Sequence, residues 1–560
     1  MFDRILIANR GEIAVRIART CRERGVSIVA VFSDADARAR HVAVADQTVR
    51  LPGVAPVDTY LNRDAIIRAA IETGAEAMHP GYGFLAESAD FAQAVVDAGL
   101  VWIGPPPEAA RAVGDKIQAR LLADAAGVPV VPGVTEAVTL EQVREFGAAN
   151  GFPLAIKAAG GGGGRGLKVV HAEDQVSDAY ASARREAEQY FGSSEVFVER
   201  YLPHPKHLEV QILAPNPDEA MWLGVRDCSM QRRHQKLVEE TPPPRFSERA
   251  SDMGEGAVAL SKAARYVNAG TAEFLVDEHG SFYFLEVNAR LQVEHTVTEE
   301  VLGLDLVACQ LQIAAGDALG FSQSDVEIHQ RGHAIECRIN AEDPARGFLP
   351  TPGLISRYAE PDGLGVRVDS GYVQHDVVPD AYDSLIAKVI TWGNDREEAR
   401  TRMLRSLHDF DIEGVATTIG AHIELLQSDE FISGSYDTRT IEASGILDEL
   451  AALSSVDARA DVLLVDGRAV RLWNPAMSAS AAGAVHGDSG GAEVVSPMQG
   501  TILEVLVQPG VSVEAGQPIV VLEAMKMETR VSSPRAGKVA EVVVEAGQTV
   551  GSGQLLAVIE

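Results

Sequence analysis

The stretch TAEFLVDEHGSFYFLEVNARLQVEH, residues 271–295, reads as two runs of β-branched and aromatic residues either side of a turn at His279–Gly280. A hairpin turning there pairs positions whose numbers sum to 559, so Glu273 faces Glu286. Two carboxylates ~5 Å apart repel by about 3 kcal/mol at an effective dielectric near 20, against a favourable cross-strand contribution below ~1 kcal/mol. A cation bound between them removes that cost. Oxygen ligands suit Mg2+ bridging nucleotide phosphates, and Asn288 on the same face can join them. The alternative is a solvated pair in another register. Continued as a strand, the same face carries Arg290, Gln292 and Glu294, while Val287, Ala289, Leu291 and Val293 point the other way. Such a row offers metal ligands, an anion clamp and a base, more than solubility requires.

Working outward, QRRHQK (231–236) packs Arg232, Arg233, His234 and Lys236 into six residues of a chain whose net charge is −31. That cluster suits phosphates or a small anion; a charged surface turn is the other reading. Further upstream, IKAAGGGGGRGLKVV (156–170) sets five consecutive glycines before Arg165 and Gly166, between two strand-like runs. Glycines let backbone N–H groups close on phosphate oxygens, and Lys157 and Lys168 bracket the loop. No GK[ST] opens a helix after it, so it is not a P-loop; a flap over ATP of the ATP-grasp type fits better. Downstream, the strand HAIECRINAED (333–343) presents Arg338 among carboxylates, as a functional guanidinium or a plain salt bridge.

The N-terminal hundred residues alternate strand and helix: FDRILIA (2–8), a helix IAVRIARTCRERG (13–25), then VSIVAVFS (26–33). This βαβ pattern predicts a parallel sheet, and the absence of GxGxxG from its first turn, NRGE, makes a dinucleotide site there improbable. At 560 residues the chain needs three or four domains, and 46% hydrophobic with 23% charged residues is a globular balance that can fill them. The acidic charge argues against nucleic acid or an acidic membrane surface as partner. No apolar run reaches a membrane span, the N-terminus turns charged too soon for a secretory signal, and Cys21, Cys228, Cys309 and Cys337 lack CxxC spacing. A reducing cytosol is expected, without structural zinc.

The C-terminal end repeats. Pro497, Gly500, Gly510, Val513, Gly516 and Glu523 recur 37 positions later as Pro534, Gly537, Gly547, Val550, Gly553 and Glu560, which predicts two like β-sheets packed face to face. Before them, 474–493 reads as an Ala/Ser/Gly linker and DVLLVDGRAVRLW (461–473) as a lone hairpin. EAMKMET (523–529) falls at the junction of the two copies. A bare lysine is ordinarily a solvated surface charge, but Met525 and Met527 beside Lys526 are an apolar pair suited to recognition by another protein.

This AMKM resembles the attachment site of biotin carboxyl carrier domains. IANRGEIAVR (7–16), HPGYGFLAE (79–87), GDK (114–116), the glycine loop, RRHQKLVEE (232–240), LEVNARLQVEH (285–295) and CRINAED (337–343) together closely resemble biotin carboxylase. The resemblance implies an α/β and α+β chain: a carboxylase N-terminal domain at 1–112 built on a parallel sheet, an ATP-grasp domain at 113–330, a mixed carboxylase C-terminal domain at 331–445, a linker region at 446–493 and a β-sandwich carrier at 494–560. It implies that biotin is joined to Lys526 and carboxylated with ATP and bicarbonate. Lys116, Lys157, Gly163, Gly164, Arg165, Gly166, Glu199, His207, Gln231 and His234 would hold ATP, and Glu273, Glu286 and Asn288 would hold Mg2+ or Mn2+. Lys236, Arg290, Gln292 and the Val293 backbone would hold bicarbonate, Glu294 would be its general base, and Arg338 would stabilise the enolate-like oxyanion of biotin. The family's usual Glu-Lys-Tyr is Glu199, Arg200, Tyr201 here, which leaves open the role of side chain 200. No stretch is long enough for a carboxyltransferase. The expected partners are therefore a biotin protein ligase and a separate β subunit, in a homo-oligomer within a larger cytoplasmic complex. That describes an acyl-CoA carboxylase α subunit of the acetyl- or propionyl-CoA class. The alternatives are the biotin-bearing subunit of a pyruvate-type carboxylase and a non-catalytic biotinylated scaffold.

Overall fold

The computed structural model describes residues 1–560 apart from 135, 159–166, 192–193, 448–460, 466–467, 473–492, 497–499, 525–526 and 552. The glycine loop with Gly163 to Gly166, most of the 474–493 linker, Met525 and Lys526 therefore lie outside the described residues. The chain forms two compact units, one of Met1–Glu342, Gly353–Val378 and Leu385–Leu447, the other of Asp343–Pro352, Pro379–Ser384 and Asp448–Glu560.

In the first unit, β1 (Arg4–Ile7) and β2 (Ser27–Ser33) flank α1 (Gly11–Glu23), as the alternation predicted. With β3 (Gln47–Leu51), β4 (Ala77–His79) and β5 (Val101–Trp102) they make a parallel sheet of order β3-β2-β1-β4-β5. Ile5, Leu6 and Ile7 are all buried, as expected of a parallel strand covered on both faces. A small antiparallel sheet follows, from β6 (Gly133–Val134), β7 (Leu154–Ala158), β8 (Leu167–Val170) and β9 (Val196–Arg200), in the order β6-β9-β7-β8. The glycine run lies between β7 and β8 in sequence.

The functional scaffold is one antiparallel sheet of eight strands. Its members are β10 (Lys206–Asn216), β11 (Glu219–Arg232), β12 (Gln235–Thr241), β13 (Asn268–Val276), β14 (Phe282–Asn288), β15 (His333–Asn340) and the strands Val366–Ser370 and Leu385–Gly393. They lie in the order β14-β13-β10-β11-β12-β15, then Leu385–Gly393 and Val366–Ser370. Along β10 the period of two divides the side chains. Leu208, Val210 and Ile212 join an apolar cluster with Met253, Ala257 and Leu260 of the helix Ala250–Ala263, leaving His207, Glu209 and Gln211 for the opposite face. The sheet runs without a break across the expected boundary at 330/331, because Val238 to Thr241 of β12 pair with Cys337 to Ala334 of β15.

In the second unit, the strands Asp461–Val465 and Arg468–Leu472 pair as the expected lone hairpin. The repeat folds into two four-stranded sheets around Ile502, Val520, Leu522, Val539, Leu556 and Ile559. Each sheet takes one short strand from the other copy: Thr549–Val550 joins Gly500–Val505, and Ser512–Val513 joins Gly537–Val542. The strands Pro518–Ala524 and Met527–Ser532 bracket Lys526 and pair with each other, Ala524 opposite Met527.

Candidate active site

The β13–β14 hairpin places Glu273 opposite Glu286, Ala272 opposite Val287 and Thr271 opposite Asn288, as the sequence arithmetic required. Nearer the turn the register differs by one, with Phe274 opposite Phe284. Leu285 is the extra residue, a β-bulge with its side chain 45% exposed, and without it Glu273 would face Leu285. The expected continuation of this strand to Glu294 does not occur. The ladder ends at Asn288, and a helix begins at His295. Two carbonyls in the intervening turn are taken by side chains instead of a partner strand: Gln292 O by the His295 ring (Nδ1–O 2.7 Å), with a longer 3.4 Å bond from the His295 N–H, and Val293 O by Lys388 Nζ at 2.6 Å.

The turn still gathers the expected side chains. Gln292 Nε2 donates to Glu273 Oε1 at 3.1 Å, and Asn288 Nδ2 to the same oxygen at 2.8 Å. Arg290 donates to Gln292 Oε1 at 2.7 Å and Asn288 Oδ1 at 3.1 Å, and its Nε lies 3.4 Å from Glu87. Lys236 Nζ sits in a cradle of three carboxylates, Glu209 at 2.7 Å, Glu273 at 3.1 Å and Glu294 at 2.7 Å. Burial opposes its charge, but these carboxylates prevail and raise its pKa well above the lysine value. Glu294 is fully buried, which favours its neutral form, yet Lys236, Arg338 and Arg226 hold it well below the usual carboxylate range. Glu273 is likewise kept ionised against its burial by Lys236 and His207. Glu286 goes the other way, raised by burial and by the charge of Glu273. An acid pair of which one member resists ionisation, with Asn288 alongside, offers the hard oxygen donors that Mg2+ or Mn2+ takes.

The expected nucleotide residues divide. Lys157 is ion-paired with Glu199 across the small sheet, and Lys116, 84% exposed, comes to 4.0 Å from Glu286. His207 is buried beside the acid pair, Nε2 2.9 Å from Glu273 Oε2. Gln231 lies opposite Lys236 on the β11–β12 ladder. Arg233 and His234 form the two-residue turn of that hairpin, at φ 48° and 66°, while Lys236 of the same basic cluster reaches the carboxylate cradle.

Four family models match: "Biotin carboxylase, N-terminal domain" over 1–110, "Carbamoyl-phosphate synthase L chain, ATP binding domain" over 115–321, "Biotin carboxylase C-terminal domain" over 336–443 and "Biotin-requiring enzyme" over 492–559. A biotin-dependent acyl-coenzyme A carboxylase alpha3 subunit of Mycobacterium leprae is 44% identical over 564 residues, 94% of this chain and 94% of that protein. The chain belongs to the biotin-dependent carboxylases. A biotin carboxylase of Nostoc is 47% identical over 443 residues, 79% of this chain and 99% of that one. The biotin carboxylase domain of a thermophilic 2-oxoglutarate carboxylase, solved bound to bicarbonate, superposes with a TM-score of 0.76 at 41% identity, covering 80% of this chain and 99% of that chain. This chain is an ATP-dependent biotin carboxylase joined to a carrier of the biotin-requiring type.

Within the carboxylase, Arg338 bridges two carboxylates. Its Nε donates to Glu239 Oε1 at 2.6 Å and its Nη2 to Glu294 Oε2 at 2.9 Å, so the guanidinium and Lys236 grip the two oxygens of one carboxylate. Glu239 faces Glu336 across the β12–β15 ladder. Burial, reinforced by the charge of Glu294, pushes Glu239 up to about 7. Burial with the charge of Glu239 pushes Glu336 up to about 8. Sequence reasoning missed Glu209, Arg226, Glu239 and Lys388. Alternation in KHLEVQI could have flagged Glu209, and a solitary lysine inside LIAKVITWG could have flagged Lys388. Nothing local marks Arg226, which is wholly buried and bound to Glu209, Gln211, Thr271 and Thr298.

Proposed function

We propose that this chain carboxylates biotin held on its own Lys526, using ATP and bicarbonate, as the α subunit of an acyl-CoA carboxylase that passes the carboxyl group to a separate carboxyltransferase. The supporting observation is Glu294, buried and ionised, with Lys236 at 2.7 Å on one oxygen and Arg338 at 2.9 Å on the other. Arg290, Lys236, Gln292 and the Val293 N–H bind bicarbonate, a planar anion matched to a guanidinium fork. Its charge draws Lys236 and Arg290 away from the carboxylates, which makes Glu294 more basic as the substrate arrives. Glu294 takes the bicarbonate hydroxyl proton, and the freed oxygen attacks the γ-phosphorus of ATP while the bond to the ADP oxygen breaks. Lys116, Lys157, Glu199, His207, Gln231, His234 and the glycine loop hold the nucleotide, and Glu273, Glu286 and Asn288 hold Mg2+ or Mn2+, which neutralises phosphate charge. The carboxyphosphate so formed breaks its C–O bond to give CO2 and phosphate; the phosphate would take the proton of the biotin ureido nitrogen, whose electron pair then bonds CO2, while Arg338 would stabilise negative charge on the adjacent ureido oxygen.

Bicarbonate-dependent ATP cleavage with free biotin tests the assignment. Arg338→Ala is expected to lower it by at least about 100-fold; wild-type rates in Glu294→Ala would remove the proposed base. The acyl-CoA reading is supported by the M. leprae α subunit, whose similarity spans 94% of this chain and so reaches into the carrier. A pyruvate carboxylase subunit of Methanothermobacter thermautotrophicus, 45% identical over 79% of this chain, supports the pyruvate-type alternative. Which carboxyltransferase co-purifies decides between them, and for the acyl-CoA reading also between acetyl- and propionyl-CoA. A non-catalytic scaffold has no use for the intact Glu294–Lys236–Arg338 cluster. A biotin protein ligase is the second partner, and self-association completes the complex. Among the described residues no helix is long and apolar enough to cross a membrane, and all four cysteines are buried free thiols; both support a cytoplasmic location.

A further inference from the structure

Resting on the bicarbonate reading above, we propose that His295 and Lys388 are positioning residues that set the Gln292–Glu294 backbone to receive the anion. Neither touches the substrate. They grip two consecutive carbonyls in a segment with no partner strand, His295 Nδ1 at 2.7 Å from Gln292 O and Lys388 Nζ at 2.6 Å from Val293 O. In a trans peptide the C=O and N–H point in opposite directions, so holding Gln292 O fixes the Val293 N–H, and holding Val293 O fixes the Glu294 N–H. Neither N–H has an acceptor among the described residues. Side chains of the same segment are those already assigned to the anion, Arg290 and Gln292, and to the base, Glu294.

The two clamps are built differently and neither is adventitious. A carbonyl only accepts, so His295 carries its proton on Nδ1, and its Nε2 lies 3.8 Å from Glu299. Burial, with Lys388, Arg16 and Arg367 nearby, keeps the ring neutral and its pKa well below the histidine value. A neutral donor can orient a carbonyl without adding a second cation beside Lys388. Lys388 is wholly buried on the strand Leu385–Gly393, 3.4 Å from Glu12 and opposite both Arg338 and Asp369 on the neighbouring strands. Burial opposes its charge, but Glu12, Glu336 and Asp369 raise its pKa and keep it an ammonium. Glu12 also accepts from Tyr82 of the HPGYGFLAE segment. The clamp on Val293 is thus anchored in α1, in β15 and in both C-terminal strands of the large sheet.

The test is a split between the two substrates' Michaelis constants in the full-length protein. His295→Leu, which removes the ring donor and leaves only the longer backbone bond to Gln292 O, is expected to raise KM for bicarbonate at least about tenfold while KM for MgATP stays within about twofold. His295→Asn, which keeps an N–H near the Nδ1 position, is expected to restore most of the bicarbonate affinity. Lys388→Met is expected to show the same split. An unchanged KM for bicarbonate in His295→Leu, or a parallel rise for MgATP, overturns the proposal. If neither apolar variant folds, His295→Asn and Lys388→Arg decide: both retain donors, so bicarbonate KM stays near wild type, and a tenfold rise counts against the clamps. Failure of the underlying reading looks different: wild-type ATP cleavage would then lack bicarbonate dependence, or Arg290→Lys would leave KM for bicarbonate unmoved.

Discussion

At the scale of single residues, the site is a lattice of buried charges in which each group relies on two or three others. Glu240 shows the energetics most plainly because it lies outside the chemistry. It is fully buried and accepts from Arg396 at 2.7 and 2.8 Å, from Tyr436 at 2.5 Å, and bonds His333 at 2.6 Å. Burial works against its charge, but the His333 and Arg396 contacts bring its pKa down to about 2. A depressed acid contributes stability that is complete above an ordinary glutamate's pKa and lost as pH falls toward the folded value, here about 3 kcal/mol between roughly pH 4.3 and 2. Urea titrations are expected to show that acid-side loss in the wild type, and a flatter profile in Glu240→Gln; matching slopes would contradict it. Legibility at this scale followed local pattern. Glu273 and Glu286 could be paired from a turn and a count, although the count held only because the bulge at Leu285 corrected the register. Arg226 and Glu239 could not, because Thr271 and Thr298 beside Arg226, and Arg338 beside Glu239, lie 45 to 99 positions away along the chain.

Elements explain what residue types alone could not place. Period-two alternation holds along β14 as far as Asn288, yet carried Arg290 to Glu294 too far as a strand, because alternation cannot tell whether a neighbouring ladder exists to pair with. The basic cluster was ambiguous for a similar reason: two turn residues, Arg233 and His234, stand within three positions of Lys236, whose ammonium lies among carboxylates. Arg233 and His234 occupy the left-handed region, where non-glycine residues cost about 1–2 kcal/mol each. Asn-Gly is the favoured pair for such a two-residue hairpin turn. Replacing Arg233-His234 with Asn-Gly is therefore expected to raise the unfolding free energy by up to about 1–2 kcal/mol, seen as a higher urea midpoint, while increasing KM for ATP. A variant that gains stability with unchanged ATP affinity would show that the turn is not held strained for nucleotide binding.

For the whole molecule, the motifs made the order of parts legible, and the repeat made the carrier's two sheets legible. The exchange of a short strand between its copies was not, since a 37-residue period is the same whether a strand joins its own sheet or the other. The carrier has its own apolar centre, with Ile502, Val520, Leu522, Leu556 and Ile559 all inaccessible to solvent. A fragment of residues 494–560 is expected to unfold cooperatively with a stability of about 3–5 kcal/mol, as befits so small a core. A gradual, non-cooperative urea profile would deny it independence. The eight-stranded sheet has the opposite consequence. A chimaera exchanging everything upstream of residue 331 for a relative's sequence must zip a foreign β12 onto a native β15, carrying Glu239 to Arg338 and Glu336 across the seam. A splice between Leu472 and Glu493 crosses none of the described ladders. Recombination should thus trade carriers freely between such enzymes while inheriting the two halves of the carboxylase as a single heirloom.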